Sequence, residues 1–451
     1  MRRPSLYLLH LENFNWTLLA SMCALLMVGF VNLFSTAGAQ LQGWNSFTRQ
    51  IVFSGLGFLV LAGSLFFDYR ILKALAWPLF CVSIVLVVLA KYHGITVNGA
   101  TRWLPLGTDA LRFQPSEFMK IATVFALASF LSSRDRKGGL GILDLVFPVL
   151  LVALPCYVIL KQPDVGTALH LGLTVIPIFI IRRIKTAVLA ALAFMVVIGG
   201  SWVLFFGGLD FLLRHEVIKE YHLERYETFR YPEKDPNGKG WQITQSKNAI
   251  GSGQMNGRGY MEGSQQKHGF LPAAETDFAF AALAEEWGFV GSGVTILLFF
   301  ALIWAALSGA SRSGDMFGSL LSVGLASLLF FQMAINVAMV TGLMPVVGIP
   351  LPFISYGGTS SVMNIMCVAA ILNVGMRRYR FMEAPLRQNP ELWEKAQPSI
   401  HDAQPVSSLR RLAPPNPNEP DHHPVHRLPH YKPWLKHLAP KNWVQQQQLM
   451  P

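Results

Sequence analysis

The sequence predicts an all-α polytopic membrane protein with about ten transmembrane helices and a large extracytoplasmic loop between the seventh and the eighth. First, 52% of the 451 residues are hydrophobic and only 14% are charged, whereas a soluble chain carries roughly a quarter charged residues. Second, long apolar runs recur along most of the chain. Third, much of the basic excess lies in short connections between those runs, which is typical of a membrane protein and gives no reason to expect a nucleic-acid partner.

A transmembrane helix needs about 20 mostly apolar residues, and ten runs approach that length. The fourth run is short and reaches span length only if it extends back towards Pro115. In chain order the predicted spans are Trp16–Phe34, Ile51–Phe67, Ile71–Ala90, Phe118–Leu131, Leu145–Leu160, Gly166–Ile181, Ala187–Phe206, Phe278–Leu307, Phe317–Val340 and Gly358–Val374.

The basic residues predict the orientation of the chain in the membrane. Connections with Arg or Lys alternate with connections that have few, so the basic ones and both termini are expected in the cytoplasm. The chain then divides into a cytoplasmic N-terminus at 1–13, a transmembrane domain at 14–380 and a cytoplasmic tail at 381–451. The tail is rich in Pro, His and Gln and is predicted to be disordered.

The long periplasmic loop, residues 207–277, has internal patterns. Asp210–Phe229 carries apolar residues at helical spacing and is predicted to lie as a helix on the membrane surface. Glycines then recur between residues 251 and 269. They fit either a tight path near another backbone or plain loop flexibility, and their spacing favours flexibility.

Composition and motifs exclude several kinds of site. The four cysteines all lie in apolar runs without a CxxC pair, which argues against a disulfide scaffold and a zinc site. The chain has no GxxxxGK[ST] loop, and its Gly-rich loop does not fit GxGxxG. Any energy for chemistry must therefore come from the substrate or from an ion gradient.

The strongest candidate site is the junction between the long loop and the eighth span. Glu275 and Asp277 lie there, and acidic residues at the mouth of a membrane helix need a partner or a task. Two interpretations of Asp277 remain open. Either Asp277 or Thr276 caps the eighth span, or Asp277 is a catalytic residue. The spacing alone favours the helix cap.

Three other predicted outer connections carry polar or kinked sequence. Glu117 and Lys120 lie three residues apart at the start of the fourth span, where they form either a structural ion pair or a site for a lipid phosphate. Asp164 precedes the sixth span and is a candidate helix cap. Prolines prevent a regular helix before Ser360 at the start of the tenth span. Together these mouths favour a cavity that opens outward.

At these residues the chain resembles a known family, the SEDS proteins (shape, elongation, division and sporulation), over about residues 14–380. Residues 259–265 resemble its elongation branch, the RodA type, rather than the FtsW-type division branch. The stretches that carry the resemblance are Asn98–Gly107, Gln114–Lys120, Lys161–Thr167, Gln245–Gly253, Gly257–Gln265, Phe270–Gly291 and Gly348–Ser360.

The resemblance implies a peptidoglycan glycosyltransferase of the bacterial inner membrane that polymerises lipid II for cell elongation and rod shape. It also implies work with a class B penicillin-binding protein, the elongation transpeptidase, within the rod complex. The essential aspartate of the family falls on Asp277 and its outer-loop tryptophan on Trp103. Glu117, Lys120 and Asp164 match family positions that line the central cavity.

One departure from the family pattern stands next to the candidate site. The familiar Leu-Pro-Glu-x-His-Thr-Asp-Phe here has Ala273 in place of the glutamate and Glu275 in place of the histidine. A second carboxylate is thus kept near Asp277 but moved by two positions. The change leaves the candidate aspartate itself unaffected.

These residues give a mechanistic hypothesis, with Asp277 as general base and Glu275 and Ser360 among the substrate-binding residues. The acceptor sugar hydroxyl attacks the anomeric carbon of the donor, and undecaprenyl pyrophosphate leaves. Lys120 and Arg102 are the candidates to meet the pyrophosphate, with a divalent cation, Mg²⁺ or Mn²⁺, as a further hypothesis. The alternatives are a lipid II flippase and a non-catalytic scaffold of the elongation complex.

Overall fold

The computed structural model describes residues 13–38, 43–97, 100–106, 108–134, 141–162, 164–182, 227–235, 238–267, 269–271 and 273–377. These residues belong to one compact unit, Met1–Pro385. The predicted seventh span, Ala187–Phe206, and the tail at 381–451 lie outside the described residues. Most of the predicted surface helix, Asp210–Phe229, also lies outside them.

The described chain is mostly helical, as predicted. Its α-helices, in chain order, are α1 (Trp16–Gly38), α2 (Gly43–Ser64), α3 (Arg70–His93), α4 (Pro115–Ser132), α5 (Ile142–Leu160), α6 (Val165–Thr174), α7 (Ile176–Ile181), α8 (Lys239–Gly253), α9 (Ser264–Lys267), α10 (Ala279–Ser311), α11 (Met316–Val340) and α12 (Gly358–Met376). A short 3₁₀ helix covers Pro232–Lys234.

Seven of these helices are long and apolar enough to cross a membrane: α1, α2, α3, α5, α10, α11 and α12. α4 begins with a proline at its first turn, as the sequence suggested, but its polar residues lower its hydropathy. The predicted sixth span is broken at Val175 into α6 and α7. The protein is therefore a multi-pass membrane protein. Two of the predicted spans do not meet the criteria for a spanning helix: the fourth has too low a hydropathy, and the sixth is too short.

The connection between α3 and α4 contains a small sheet that the sequence analysis did not anticipate. Its strands are β1 (Ile95–Val97), β2 (Ala100–Leu106) and β3 (Thr108–Phe113). They form an antiparallel meander in the order β1-β2-β3, and Ile95 pairs with Trp103. The sheet lies at the end of the bundle where α2, α10 and α12 begin, which we call the cavity end.

Helix α10 is broken at Gly288, which has φ 63° and ψ −162°. A segment that follows α8 enters the break and replaces the missing helical hydrogen bonds. Arg258 N and Gly259 N donate to the carbonyls of Glu285 and Glu286 at 3.0 and 3.2 Å. In return Phe289 N and Val290 N donate to the carbonyls of Gln254 and Met255 at 2.8 and 3.1 Å. We call this arrangement the α10 interlock.

Close backbone contact in the interlock requires glycine. A Cβ on Gly257, whose φ is +80°, would lie 2.0 Å from Glu286 O, and a Cβ on Gly253 would lie 2.0 Å from Ala284 O. The glycines at these two positions therefore serve a tight path against another backbone. The sequence-based preference for plain loop flexibility is wrong at both.

The two glutamates in the apolar run of α10 both have partners. Glu285 is fully buried, and its Oε1 accepts hydrogen bonds from Ser264 Oγ and Gln265 N, each at 3.0 Å. Arg258 Nε lies 3.9 Å from the same oxygen. Glu286 accepts from Ser35 Oγ on α1. The two carboxylates thus link the interlock to the segment at 258–265 and to α1. These partners matter because a buried charge without them is costly.

At the end of the bundle opposite the cavity end, a buried asparagine joins α12 to the turn between α2 and α3. Asn373 Nδ2 donates to the carbonyls of Ser64 and Phe67, and its Oδ1 accepts from Tyr69 N at 3.1 Å. Arg377 also donates to Asn373 Oδ1. Helices α11 and α12 are buried along most of their length, so they form the centre to which such contacts attach.

Candidate active site

A cavity of about 390 Å³ lies at the cavity end of the bundle. Its walls come from the start of α2, from β2 and β3, from the loop before α10, and from the irregular chain that leads into α12. The side chains and backbone that line it belong to Arg49, Phe53, Arg102, Trp103, Arg112, Gln114, Thr276, Asp277, Gly348, Pro350, Tyr356, Gly357, Gly358 and Ser360. It therefore brings together four predicted site residues: Arg102, Trp103, Asp277 and Ser360.

Asp277 lies at the wall of this cavity, half-buried, just before α10. The N-cap of α10 is Phe278, whose own side chain forms no cap hydrogen bond. Asp277 therefore stands one residue before the N-cap position rather than in it. Gly348 lies next to this carboxylate. A Cβ on Gly348 would lie 3.4 Å from Asp277 Oδ2, and the φ of Gly348 is +71°. Glycine at 348 thus keeps the space beside the carboxylate open.

Three arginines bring positive charge to the cavity. Arg102 on β2 was predicted, whereas Arg49 on α2 and Arg112 on β3 were not. Arg102 Nη1 lies 2.9 Å from Asp164 Oδ2, so a buried carboxylate orients its guanidinium. Guanidinium groups suit phosphate oxygens because they present several N–H donors in one plane. The lining therefore fits an anionic group next to a single lining carboxylate.

Asp164 itself is a helix cap, as the sequence suggested. Its Oδ1 accepts from Thr167 N at 3.2 Å at the start of α6, while its other oxygen faces Arg102. It does not line the cavity. Asp164 therefore orients Arg102 and does not contact a ligand in the cavity directly.

Glu117 and Lys120 form a buried ion pair inside the bundle. Lys120 Nζ lies 2.8 Å from Glu117 Oε1, and both residues are almost fully buried. Lys120 Nζ also lies 3.3 Å from His170 Nδ1, and His170 Nε2 lies 2.8 Å from the carbonyl of Leu328. Neither residue lines the cavity. The structural ion pair that the spacing allowed is present.

Glu275 lies beside the cavity in a different role from Asp277. Its carbonyl accepts from Tyr356 N at 2.7 Å, which joins the loop before α10 to the chain before α12. Burial raises the pKa of the half-buried Glu275 carboxyl above its ordinary value, and a hydrogen bond from Ser46 on α2 opposes that rise. The carboxyl is not among the groups that line the cavity.

Two buried amides support the cavity from α11. Gln332 Nε2 donates to the carbonyl of Pro350 at 2.9 Å and lies 3.3 Å from Ser360 Oγ. Asn336, one helical turn later, donates to the carbonyls of Asp277 and Ile349. Neither residue was predicted from the sequence to belong to the site. Their spacing of four residues in an apolar run was the available signal, because buried amides on one helix face need partners.

The lining does not suit a divalent cation. Hard cations bind several oxygen ligands, often two or more carboxylates, whereas the lining has Asp277 beside three arginines. In the part of the chain that the structure describes, no group of three or more His, Cys, Asp or Glu side chains is arranged to hold a metal ion. We derive no catalytic step through a metal.

Comparison with known proteins gives one consistent result. The sequence profile of the FtsW, RodA and SpoVE family, described as cell cycle proteins, matches residues 12–380. A probable peptidoglycan glycosyltransferase FtsW of Trichlorobacter lovleyi is 36% identical over 83% of this chain and 95% of its own. The peptidoglycan glycosyltransferase MrdB of Escherichia coli is 33% identical over 80% of this chain and 93% of its own.

Solved structures agree with these sequence matches. A peptidoglycan synthase complex, described as coordinating polymerisation and crosslinking, contains a chain that is 30% identical to this one. The two superpose with a TM-score of 0.68 over 81% of this chain and 99% of that chain. The rod shape determining protein RodA of Thermus thermophilus is 28% identical, with a TM-score of 0.59 over 81% of this chain and 98% of that one.

Proposed function

Because the chain belongs to the SEDS family, the family of FtsW, RodA and SpoVE, we propose that it polymerises lipid II into glycan strands for cell elongation and rod shape. Family membership makes it a peptidoglycan glycosyltransferase and a multi-pass membrane protein. The proposal adds the substrate, the elongation role and the residues. The observation that carries it is the single cavity lined by Asp277 and three arginines.

The proposed reaction joins two lipid-linked saccharides in this cavity. Asp277 acts as general base and takes the proton from the 4-hydroxyl of the acceptor sugar. The resulting nucleophile attacks the anomeric carbon of the donor strand, and the bond to undecaprenyl pyrophosphate breaks. The leaving pyrophosphate keeps the electron pair of that bond. Because the donor already carries this leaving group, no nucleotide is needed to activate it.

The arginines stabilise the leaving pyrophosphate. Arg49, Arg102 and Arg112 line the same cavity as Asp277, which supports their placing positive charge where negative charge develops. This assignment replaces part of the sequence-based hypothesis. Lys120 is buried in an ion pair away from the lining, so it supports the bundle and does not meet the pyrophosphate in this conformation. Trp103 offers an aromatic wall for a sugar ring.

The proposed cellular role rests on residues 259–265, which resemble the elongation branch. The relatives include both a probable FtsW and an MrdB, so they support the family rather than one branch. On the resemblance of residues 259–265 we assign the chain to elongation, and on the distribution of basic residues to the bacterial inner membrane with the cavity facing the periplasm and both termini in the cytoplasm. The similarity to a chain of a peptidoglycan synthase complex supports a class B penicillin-binding protein as its partner within the rod complex.

The test is polymerisation of lipid II by purified protein in detergent, where there is no membrane to cross. The wild-type protein should form glycan strands, whereas a flippase or a scaffold would form none. Asp277→Asn keeps the shape of the side chain but removes the base, so we expect a loss of 100-fold or more, on the order of a general-base contribution.

The matched control is Asp144→Asn, which changes a buried carboxylate at the start of α5, away from the cavity. It should retain wild-type polymerisation per folded molecule. Wild-type polymerisation by Asp277→Asn would remove Asp277 from the mechanism. An inactive wild-type protein that binds lipid II would favour the transporter alternative.

A further inference from the structure

The carbonyl of Asp277 lies outside the regular hydrogen bonding of α10. Ala281 N and Ala282 N both donate to Phe278 O, at 2.9 and 3.2 Å, so the helical pattern begins at Phe278. The N–H of the same peptide, Phe278 N, donates to Ala273 O at 3.2 Å in the preceding turn. The carbonyl needs a separate partner, since buried carbonyls in native proteins are almost always paired.

That partner is the side chain of Asn336 on α11. Its Nδ2 lies 2.9 Å from Asp277 O and 2.7 Å from Ile349 O, and the residue is fully buried. Both neighbours are carbonyl oxygens, so the nitrogen of the amide must face them, which fixes the orientation of the side chain. Its Oδ1 has no hydrogen-bond partner among the described residues. The amide therefore acts there through its two donors.

The two carbonyls belong to two neighbouring segments that both line the cavity. Asp277 stands at the end of the loop before α10, and Ile349 follows Gly348, where a Cβ would lie 3.4 Å from Asp277 Oδ2. The amide of Asn336 thus helps to set the separation between these two segments. The hydrogen bond from Tyr356 N to Glu275 O joins the same two segments at a second point. α11 is the buried helix from which this separation is set.

We propose that Asn336 is a positioning residue for Asp277. It does not touch the substrate. It holds the Asp277 peptide and the Gly348–Ile349 peptide so that the carboxylate keeps one position in the cavity. The inference rests on the proposed role of Asp277 as base, but the geometry of the amide stands independently of the substrate.

The test compares two buried asparagines with the same donor pattern. Asn336→Leu removes both donors at nearly constant shape. Asn373→Leu does the same at the opposite end of α12, about 20 Å from Ser360 by helical rise, where Nδ2 also donates to two carbonyls. Each variant is measured for thermal unfolding, for kcat and KM with lipid II per folded molecule, and for amide hydrogen exchange.

For Asn336→Leu we expect kcat to fall about 10- to 100-fold while KM stays within about twofold, because a misplaced base affects the transition state more than binding. Hydrogen exchange should accelerate at residues 273–282. Asn373→Leu should lose thermal stability but keep wild-type kcat and slow exchange at 273–282. If Asn336→Leu does not accumulate in cells, Asn336→Ser, which keeps one donor, takes its place. For that variant we expect a smaller fall in kcat, again with KM nearly unchanged.

Wild-type kcat with unchanged exchange in the position-336 variant would overturn the inference, and so would an equal loss of kcat in both variants. The proposed function fails separately, by the absence of glycan with the wild-type protein. In that case hydrogen exchange at 273–282 still decides whether Asn336 holds the Asp277 peptide.

Discussion

Gly257→Ala is expected to destabilise the protein strongly, although it adds only one methyl group. The new Cβ would lie 2.0 Å from Glu286 O, against about 3.4 Å for an ordinary contact. The segment would have to move by about 1.4 Å, the difference between those two distances, which breaks the hydrogen bonds from Arg258 N and Gly259 N. Each buried carbonyl left without a partner costs about 1–3 kcal/mol.

The backbone conformation adds to that cost. Gly257 has φ +80°, and an L-residue in the left-handed region loses about 1–2 kcal/mol. The combined loss is about 3–8 kcal/mol, among the larger effects known for single substitutions. Because the interlock is part of α10, the same variant should also lose polymerisation of lipid II.

Thermal unfolding of the detergent-solubilised protein checks this prediction. The matched control is Gly251→Ala, six residues earlier on α8, where a Cβ would meet no atom within 4 Å. Alanine there should be neutral or stabilise by roughly 0.5–1 kcal/mol, because glycine weakens a helix interior. Equal unfolding temperatures for the two variants would refute the claim that the interlock depends on close backbone contact.

Two further predictions concern buried charges. Lys120→Met leaves Glu117 without its ion-pair partner and should cost about 3–5 kcal/mol in thermal unfolding; adding Glu117→Gln should recover most of that loss, and failure to recover it would contradict the pairing. The pKa of Glu275 is raised above its ordinary 4.5, so its contribution to stability is present below that value and lost as pH rises through the raised pKa. Glu275→Gln should therefore flatten stability against pH in that window, whereas an unchanged slope would show that another group titrates.

Local periodicity and turn chemistry predicted much of the described fold. The helical span near Phe317–Val340 and the cap at Asp164 follow from apolar runs and from a carboxylate before a helix, and both are found. The small sheet around Trp103 was not anticipated, because its strands are short and lie between spans. The break of α10 was also missed, because it depends on a segment more than 20 residues earlier.

The candidate site was predicted only in part for the same reason. Asp277 and Trp103 stand in recognisable motifs, whereas Arg49 was placed in a connection before the second span. In the structure α2 begins at Gly43, so Arg49 lies on its first turns and reaches the cavity. The role of Asn336 depends on two carbonyls that the tertiary fold brings together. The spacing of Asn336 from Gln332 signals a buried amide on α11, but it does not tell which carbonyls that amide contacts.

The buried group of Glu117, Lys120 and His170 has a consequence for how the chain is assembled. Lys120 belongs to α4, which is not apolar enough to count as a spanning helix, and His170 belongs to α6, which is too short to be one. A charge left in lipid without its partner is costly, but Lys120 enters the membrane with Glu117 on the same helix. The ribosome delivers α4 about 50 residues before α6, so the ion pair within α4 precedes the contact with His170.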